Sequence, residues 1–285
     1  MISIVVVTYN RKKLLKQCLE SVINQNFIDT YETIVIDNGS SDGTEEFVKN
    51  EYNNNVTIIT NNRKKSLAAC KYFGTQKANG DIVAFIDDDC YASNNWLTAI
   101  KESLLKYDFV GGMVLPIPNM KFPRWWRYSL DWLIGIAQKP NRTFLPIGSN
   151  VAFKKCVLDA LPLGANHMGV DENQLHPDLE DNYRVKKALN LGFSMIINPQ
   201  MIIYHHVPKY RLKIKYLMKR SYEEGGTWVL CEKKFRIFIY CLIAAVLDPI
   251  RYLISWDSNR FFRMIVHVSY VYNYFKSILL PHKFI

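Results

Sequence analysis

The sequence has no closely spaced cysteines. Its six, Cys18, Cys70, Cys90, Cys156, Cys231 and Cys241, are scattered along the chain, which excludes a zinc knuckle or a dithiol redox motif and predicts free thiols in a reducing compartment. No low-complexity stretch occurs beyond Asn53-Asn54-Asn55. A long hydrophobic span is missing too: the apolar run Ile237–Leu247 is closed by Asp248-Pro249, well short of the roughly 20 residues that crossing a bilayer requires. Nor does a charged, then apolar leader open the chain. Met1 runs straight into Ile2–Val7, which reads as a buried strand and places the catalytic part in the cytosol.

Excess charge is nearly absent from residues 1–208, which hold 22 basic and 21 acidic side chains. Residues 209–285 hold 14 and 5, so almost all of the net charge of +10 sits in the last quarter. Those basic residues are interleaved with apolar faces and lie beside no reader motif, so nucleic acid is not an expected partner.

With 49% hydrophobic and 22% charged residues the chain is that of a folded protein. Its first 110 residues alternate short apolar strands with polar-capped helices. Strands are predicted at Ile4–Thr8, Glu32–Asp37, Val56–Thr60 and Ile82–Ile86, and helices at Lys12–Asn24 and Ser66–Ala78. Ser41 or Asp42 is placed to cap a further helix after the second strand. Strands this apolar, alternating with helices, predict an α/β fold with a mainly parallel sheet flanked by helices. Residues 110–208 are less periodic but end in a helix from about Leu179 to Leu191, closed by Gly192.

Ligands bind beyond the carboxyl ends of strands in such sheets. Three strands end in polar clusters: Thr8-Tyr9-Asn10-Arg11, Asp37-Asn38-Gly39-Ser40 and Asp87-Asp88-Asp89. Three adjacent carboxylates repel one another unless a cation or a solvated loop relieves them, and their hard oxygens suit Mg²⁺ or Mn²⁺ facing a diphosphate. If the strand continues, Asp87 and Asp89 point the same way and form the natural metal pair. Glu180-Asp181 opens the late helix; its carboxylates either cap that helix or serve as a base. Tyr204-His205-His206 offers one further metal ligand or a structural pair.

Together these clusters resemble the family 2 glycosyltransferases of the GT-A fold. Ser3–Arg11 with the helix through Gln25 resembles the family's entry, Ile34–Thr44 its second motif, Ala78–Asp89 its DXD region, and Glu180-Asp181 followed by Gly192-Phe193 its base motif. The resemblance covers residues 1–208, taken as the catalytic domain, with 209–285 as a basic, amphipathic helical extension. It implies an inverting transferase that moves a sugar from a nucleotide-diphosphate sugar to an acceptor hydroxyl in glycan or polysaccharide assembly. It also implies roles. Thr8, Tyr9, Arg11, Asp37, Asn38 and Lys71 would lie at the donor, Tyr9 stacking on the base and Asp37 or Asn38 bonding to it. Asp87, Asp88 and Glu180 would also contact donor or acceptor, with Gly148 and Asn150 lining the sugar side. Asp87 and Asp89, with His205 or His206, would hold Mn²⁺ or Mg²⁺, and Asp181 would be the catalytic base. Asn38 stands where many members carry a second Asp, which leaves UDP-, GDP- and dTDP-sugars open as donors; Lys71 replaces the usual Arg.

A sugar-1-phosphate nucleotidyltransferase is the alternative, but it needs a glycine-rich loop after the first strand, where Thr8–Lys13 has no glycine. In the tail, Lys209–Val229 reads as an amphipathic helix with Ile214, Leu217, Met218, Ser221, Gly225 and Trp228 on one face. The tail predicts peripheral docking on the cytosolic face of a membrane, near a glycan or lipid-linked acceptor. Packing on the catalytic core or pairing with a second copy in a homodimer is the other use for it.

Overall fold

A computed structural model describes residues 1–61, 65–138, 146–161, 177–231, 235–255 and 257–279. The chain divides into two compact units: Met1–Pro118 with Ala137–His206, and Asn119–Ile136 with Val207–Ile285. The second unit thus takes in a Trp-rich stretch that the boundary at 208 assigned to the first.

The first unit begins as the strand–helix alternation predicts. β1 (Ile2–Thr8), α1 (Lys12–Ile23), β2 (Tyr31–Asp37), α2 (Thr44–Tyr52), β3 (Val56–Thr60), α3 (Leu67–Lys77) and β4 (Ile82–Asp87) follow in order. Next come β5 (Cys90–Ala92), α4 (Trp96–Leu104), β6 (Phe109–Pro116), β7 (Asn150–Lys154), α5 (Lys155–Ala160), α6 (Pro177–Asn190) and β8 (Met195–His205). The described strands form one sheet ordered β3-β2-β1-β4-β7-β6-β8-β5. β1 to β4 are parallel, β7 runs antiparallel to β4 and β6, β6 and β8 are parallel, and β5 runs antiparallel to β8.

The sheet is covered on both faces, which is why its strands read as continuous apolar runs. Ile4 and Val6 point into a core with Leu15, Leu19, Trp96 and Ile100, while Val5 points the other way among Ile36, Phe85 and Phe153. Each such buried side chain contributes about 1.5–3 kcal/mol. Ser66 caps α3, accepting from the Ala69 N–H at 3.2 Å. At α2 the N-cap is Gly43, without a side-chain cap bond. Asp42 instead accepts from the Lys12 N–H at 3.1 Å, so it caps α1 across the sheet edge because that helix lacks a capping residue of its own.

The second unit holds a 3-10 turn at Tyr128–Ile134 and the helices α7 (Ile214–Cys231), α8 (Phe235–Ser255) and α9 (Ser258–Leu279). Trp126, Leu130, Leu133, Ile134, Leu217 and Phe262 form its core. The apolar run Ile237–Leu247, closed by Asp248-Pro249, lies within the longer helix α8, which carries Pro249 inside its 21 residues. One expectation fails here. The buried face of α7 holds Leu217, Ser221 and Gly225 as expected, but also Arg220 and Glu224, while Ile214 and Met218 point outward. Arg220 and Glu224 can be buried because they pair at 3.2 Å, one turn apart.

Candidate active site

The carboxyl ends of β1, β2 and β4 meet in register, with Thr8 beside Asp37 and Val7 beside Asp87. The loops that follow are latched together. Asn10 adopts φ +52°, a left-handed conformation that asparagine tolerates. Its N–H donates to Ser40 Oγ at 2.8 Å and its Oδ1 accepts from the Ser41 N–H at 2.7 Å. Tyr9 stands 39% exposed on this edge.

β4 ends at Asp87, the chain turns through Asp88 and Asp89, and β5 starts at Cys90. The turn replaces pleated backbone, so the expected alternation that would pair Asp87 with Asp89 does not hold. The three carboxylates have different neighbours. Asp87 lies 3.9 Å from Lys71 Nζ. Asp88, expected at the donor, is turned inward: it accepts from Thr8 Oγ1 at 2.8 Å and from Arg11 Nη1 at 3.0 Å. Asp89 accepts from the same Arg11 nitrogen at 3.0 Å through Oδ2, while its Oδ1 lies 3.6 Å from His205 Nε2. Burial pushes the Asp88 carboxyl up to about 6; Arg11 and Thr8 pull against that shift, and the neighbouring aspartates add to it. Thr8 and Arg11, both expected to touch the donor, here hold the acidic turn in shape.

Ligand atoms of Asp89, Cys90 and His205 all lie within 4.8 Å of one another. Burial, with Asp89 adding to it, pushes the Cys90 thiol well up, and a soft sulfur is not the ligand that a hard cation facing a diphosphate selects. What remains is a carboxylate and an imidazole, an oxygen–nitrogen set that fits Mn²⁺ better than a soft ion. Of the two histidines expected as ligands, His205 reaches this group. His206 contributes its backbone N–H, which donates to the Asp89 carbonyl at 2.8 Å.

Asp37 is fully buried. Its Oδ1 accepts from the Ser40 N–H at 3.0 Å and from Ser40 Oγ at 2.6 Å. Its Oδ2 has no hydrogen-bond partner among the described residues, an open acceptor where a buried one is costly. Asn38, expected to bond the base, has its amide committed elsewhere: Nδ2 donates to the Lys65 carbonyl at 2.8 Å and Oδ1 accepts from the Lys65 N–H at 2.9 Å. Asn150, expected on the sugar side, is held inside the sheet. It is fully buried, donates to the carbonyls of Met113 (2.8 Å) and Met201 (2.9 Å) and accepts from Trp96 Nε1 (2.8 Å). It therefore ties β7 to its neighbours and does not line the sugar side. Gly148 accepts from Lys71 Nζ at 3.2 Å, so buried Lys71 bridges the Gly148 loop and Asp87. The side chains of Glu180 and Asp181 lie outside the described residues, although the backbone of both is part of α6. No sequence signal marks the sharing of Arg11 between Asp88 and Asp89, because these residues lie 77 and 78 positions from Arg11.

Comparison with known proteins bears on this arrangement. Residues 3–161 match the family model described as Glycosyl transferase family 2. Glycosyltransferase AglE of Haloferax volcanii is 33% identical over 270 residues, covering 91% of this chain and 85% of that protein. A Methanococcus voltae relative, dolichyl N-acetyl-alpha-D-glucosaminyl phosphate 3-beta-D-2,3-diacetamido-2,3-dideoxy-beta-D-glucuronosyltransferase, is 30% identical, covering 98% of this chain and 97% of that protein. Among solved structures, the mannosyltransferase PcManGT from Pyrobaculum calidifontis, in complex with GDP-Man and Mn²⁺, matches with a TM-score of 0.62 at 15% identity. That match covers 98% of this chain and 87% of that one, a likeness of fold. The nucleotidyltransferase alternative finds no support in these relatives. The GT-A architecture, a family model over more than half the residues and a curated relative aligned along nearly the whole chain converge, and the chain belongs to glycosyl transferase family 2 and is a glycosyltransferase.

Proposed function

We propose that the enzyme transfers a sugar from a nucleoside diphosphate sugar to an acceptor hydroxyl, inverting the anomeric carbon, in the assembly of a lipid-linked glycan. The observation that carries this reading is the clustering of Asp89 and His205 at the carboxyl edge of the sheet, where the ends of β1 and β2 also meet.

Asp89 and His205 would hold a divalent cation, Mn²⁺ or Mg²⁺, with Asp87 nearby. Once bound, that ion offsets the charge of the diphosphate leaving group. Mn²⁺ is the stronger candidate, since an imidazole joins the carboxylate and the PcManGT structure carries Mn²⁺. The Oδ2 of Asp37, buried without a partner among the described residues, would accept an N–H of the nucleobase once the turn after Asp37 moves aside, and the Tyr9 ring on the same edge would stack on it. With the Asn38 amide bonded to Lys65, base selection falls mainly to Asp37, and UDP, GDP and dTDP remain the donors to compare. Lys71 holds the Gly148 loop against Asp87, which fixes the wall on the sugar side. Asp181, at the start of α6, would accept the proton of the acceptor hydroxyl. The acceptor oxygen then bonds to the anomeric carbon as the bond from that carbon to the diphosphate oxygen breaks.

The Methanococcus voltae relative is named for a dolichyl-phosphate-linked substrate, which supports a lipid-linked acceptor here and a place on the cytosolic face of a membrane, in peripheral contact with it. Dimerisation is the competing use of the tail. The deciding experiment incubates the protein with UDP-, GDP- and dTDP-sugars and Mn²⁺ and measures released nucleotide. Folded protein that releases none from any donor, with lipid-linked acceptor supplied, would overturn the reading.

A further inference from the structure

The second unit keeps an apolar core, yet its helices also turn long apolar faces outward and a few charged residues inward, whereas soluble helices turn charged residues to water. On α8 the buried stripe runs Phe238, Cys241, Ala244 and Asp248, and Asp248 Oδ2 lies 2.9 Å from Nδ1 of buried His267 on α9. The outward face of the same helix carries Ile243, Val246 (63% exposed), Ile250, Leu253 and Ile254 (78% exposed). On α7 the ion pair Arg220–Glu224 is buried while Ile214, Met218 and Tyr222 are exposed. α9 adds an exposed stripe of Val268, Tyr272, Phe275 and Leu279 at helical spacing.

Charge follows the same division. The unit Asn119–Ile136 with Val207–Ile285 holds 17 basic and 6 acidic residues, a balance of +11, and the other unit holds 19 and 20, a balance of −1. The stretch that joins from the middle of the chain brings Trp125 and Tyr128, both exposed and each directly after an arginine, Arg124 and Arg127. Aromatic rings alternating with arginines suit the headgroup level of a bilayer.

We propose that this unit is a monotopic docking surface for anionic lipid, in which the outward face of α8 enters the headgroup–acyl boundary lengthwise. This deepens the lipid-linked reading above by naming the surface and its partner. α8 is also long and apolar enough to cross a membrane. Its inner stripe argues against crossing alone, because Asp248 is paired with His267 of α9, and crossing would set that pair and Arg263 within the hydrocarbon. Lying in the plane keeps the paired charges on the protein side and gives the apolar face a solvent that matches it.

The test uses the full chain and phosphatidylcholine vesicles with and without phosphatidylglycerol. We expect cosedimentation that requires phosphatidylglycerol and weakens as salt rises. The double variant V246E/I250E changes two exposed positions. It should lower vesicle affinity by about tenfold or more while keeping the helical signal and the release of nucleotide from a soluble donor. Retained nucleotide release separates failure of the docking surface from failure of the catalytic reading. Three results would overturn the proposal: folded protein that ignores the vesicles, a double variant that binds them as well as the parent, or a stable dimer in solution that the double variant dissociates.

Discussion

Nη1 of Arg11 lies 3.0 Å from Oδ1 of Asp88, and the same nitrogen reaches Oδ2 of Asp89 at 3.0 Å. One cation therefore compensates two nearly buried carboxylates. Arg11→Gln leaves Asp88 with its Thr8 bond but with no cation. The expected loss is about 1–3 kcal/mol in urea unfolding, below the range for a fully buried pair because Arg11 is partly exposed. Adding Asp88→Asn removes the stranded charge and should return part of that loss. If the double variant is no more stable than Arg11→Gln alone, the pair is not what holds the turn.

Asp89 is the carboxylate that faces both Arg11 and His205. Asp89→Ala is expected to abolish transfer and to remove the Mn²⁺ dependence of nucleotide binding, read by calorimetry with and without the ion. His205→Ala should weaken Mn²⁺ binding by a smaller factor, since diphosphate and water oxygens can take its place. Full activity of Asp89→Ala in a chelator would remove the metal from the reaction.

The parallel half of the sheet was legible because strands buried on both faces are apolar throughout, and Ile4, Val5 and Val6 show it. The antiparallel entries of β5 and β7 were not, because strand direction leaves no mark in periodicity. The acidic run at 87–89 marked the candidate site in the sequence, whereas its inner geometry depends on a turn that no alternation rule describes. The sequence also placed Asn38 and Asn150 at the ligand, since a polar residue in a motif looks the same whether it meets a ligand or a backbone. Their partners, Lys65 and the carbonyls of Met113 and Met201, are set by the fold. The apolar run at 237–247 looks short for a span because Asp248 and Pro249 close it. In the structure His267 satisfies the aspartate and the helix continues.

Asn38 and Lys65 exchange a donor and an acceptor in the manner of two peptide groups. Asn38→Asp keeps the acceptor but sets a carboxylate against the Lys65 carbonyl. The expected cost is about 1–3 kcal/mol. The order of preference among UDP, GDP and dTDP, measured by competition, should hold. A switch of preferred nucleotide would place Asn38 at the base after all.

Glu32 should shape the acid limb of stability. Its burial raises the carboxyl's pKa, but bonds from Ser3 Oγ and from the backbone and side chain of Asn79 outweigh that and leave it below the ordinary value. A carboxylate with a lowered folded pKa stabilises above its unfolded pKa and loses that contribution as pH falls through the folded value. Unfolding followed from pH 7 down should therefore show stability falling below about 4.5. Glu32→Gln should be less stable at pH 7 and closer to the parent at low pH. A constant gap between the two across this range would exclude ionised Glu32 as the cause.

Asp181 lies in the first turns of α6, where the positive end of the helix favours an ionised carboxylate. As the base, it must accept the acceptor's proton only as the new bond forms. Asp181→Asn preserves size and much of the helix-start bonding but cannot take a proton at neutral pH. Turnover should fall by a factor of about 10² to 10⁴, with donor binding and Mn²⁺ affinity near those of the parent. The slow hydrolysis of donor by water, measured without acceptor, should fall less, since it does not require the acceptor-side base in place. A helix cap would behave differently: Asp181→Asn would then lower stability by about 1 kcal/mol and leave turnover intact. Comparing turnover, donor affinity and unfolding on one preparation separates the two roles.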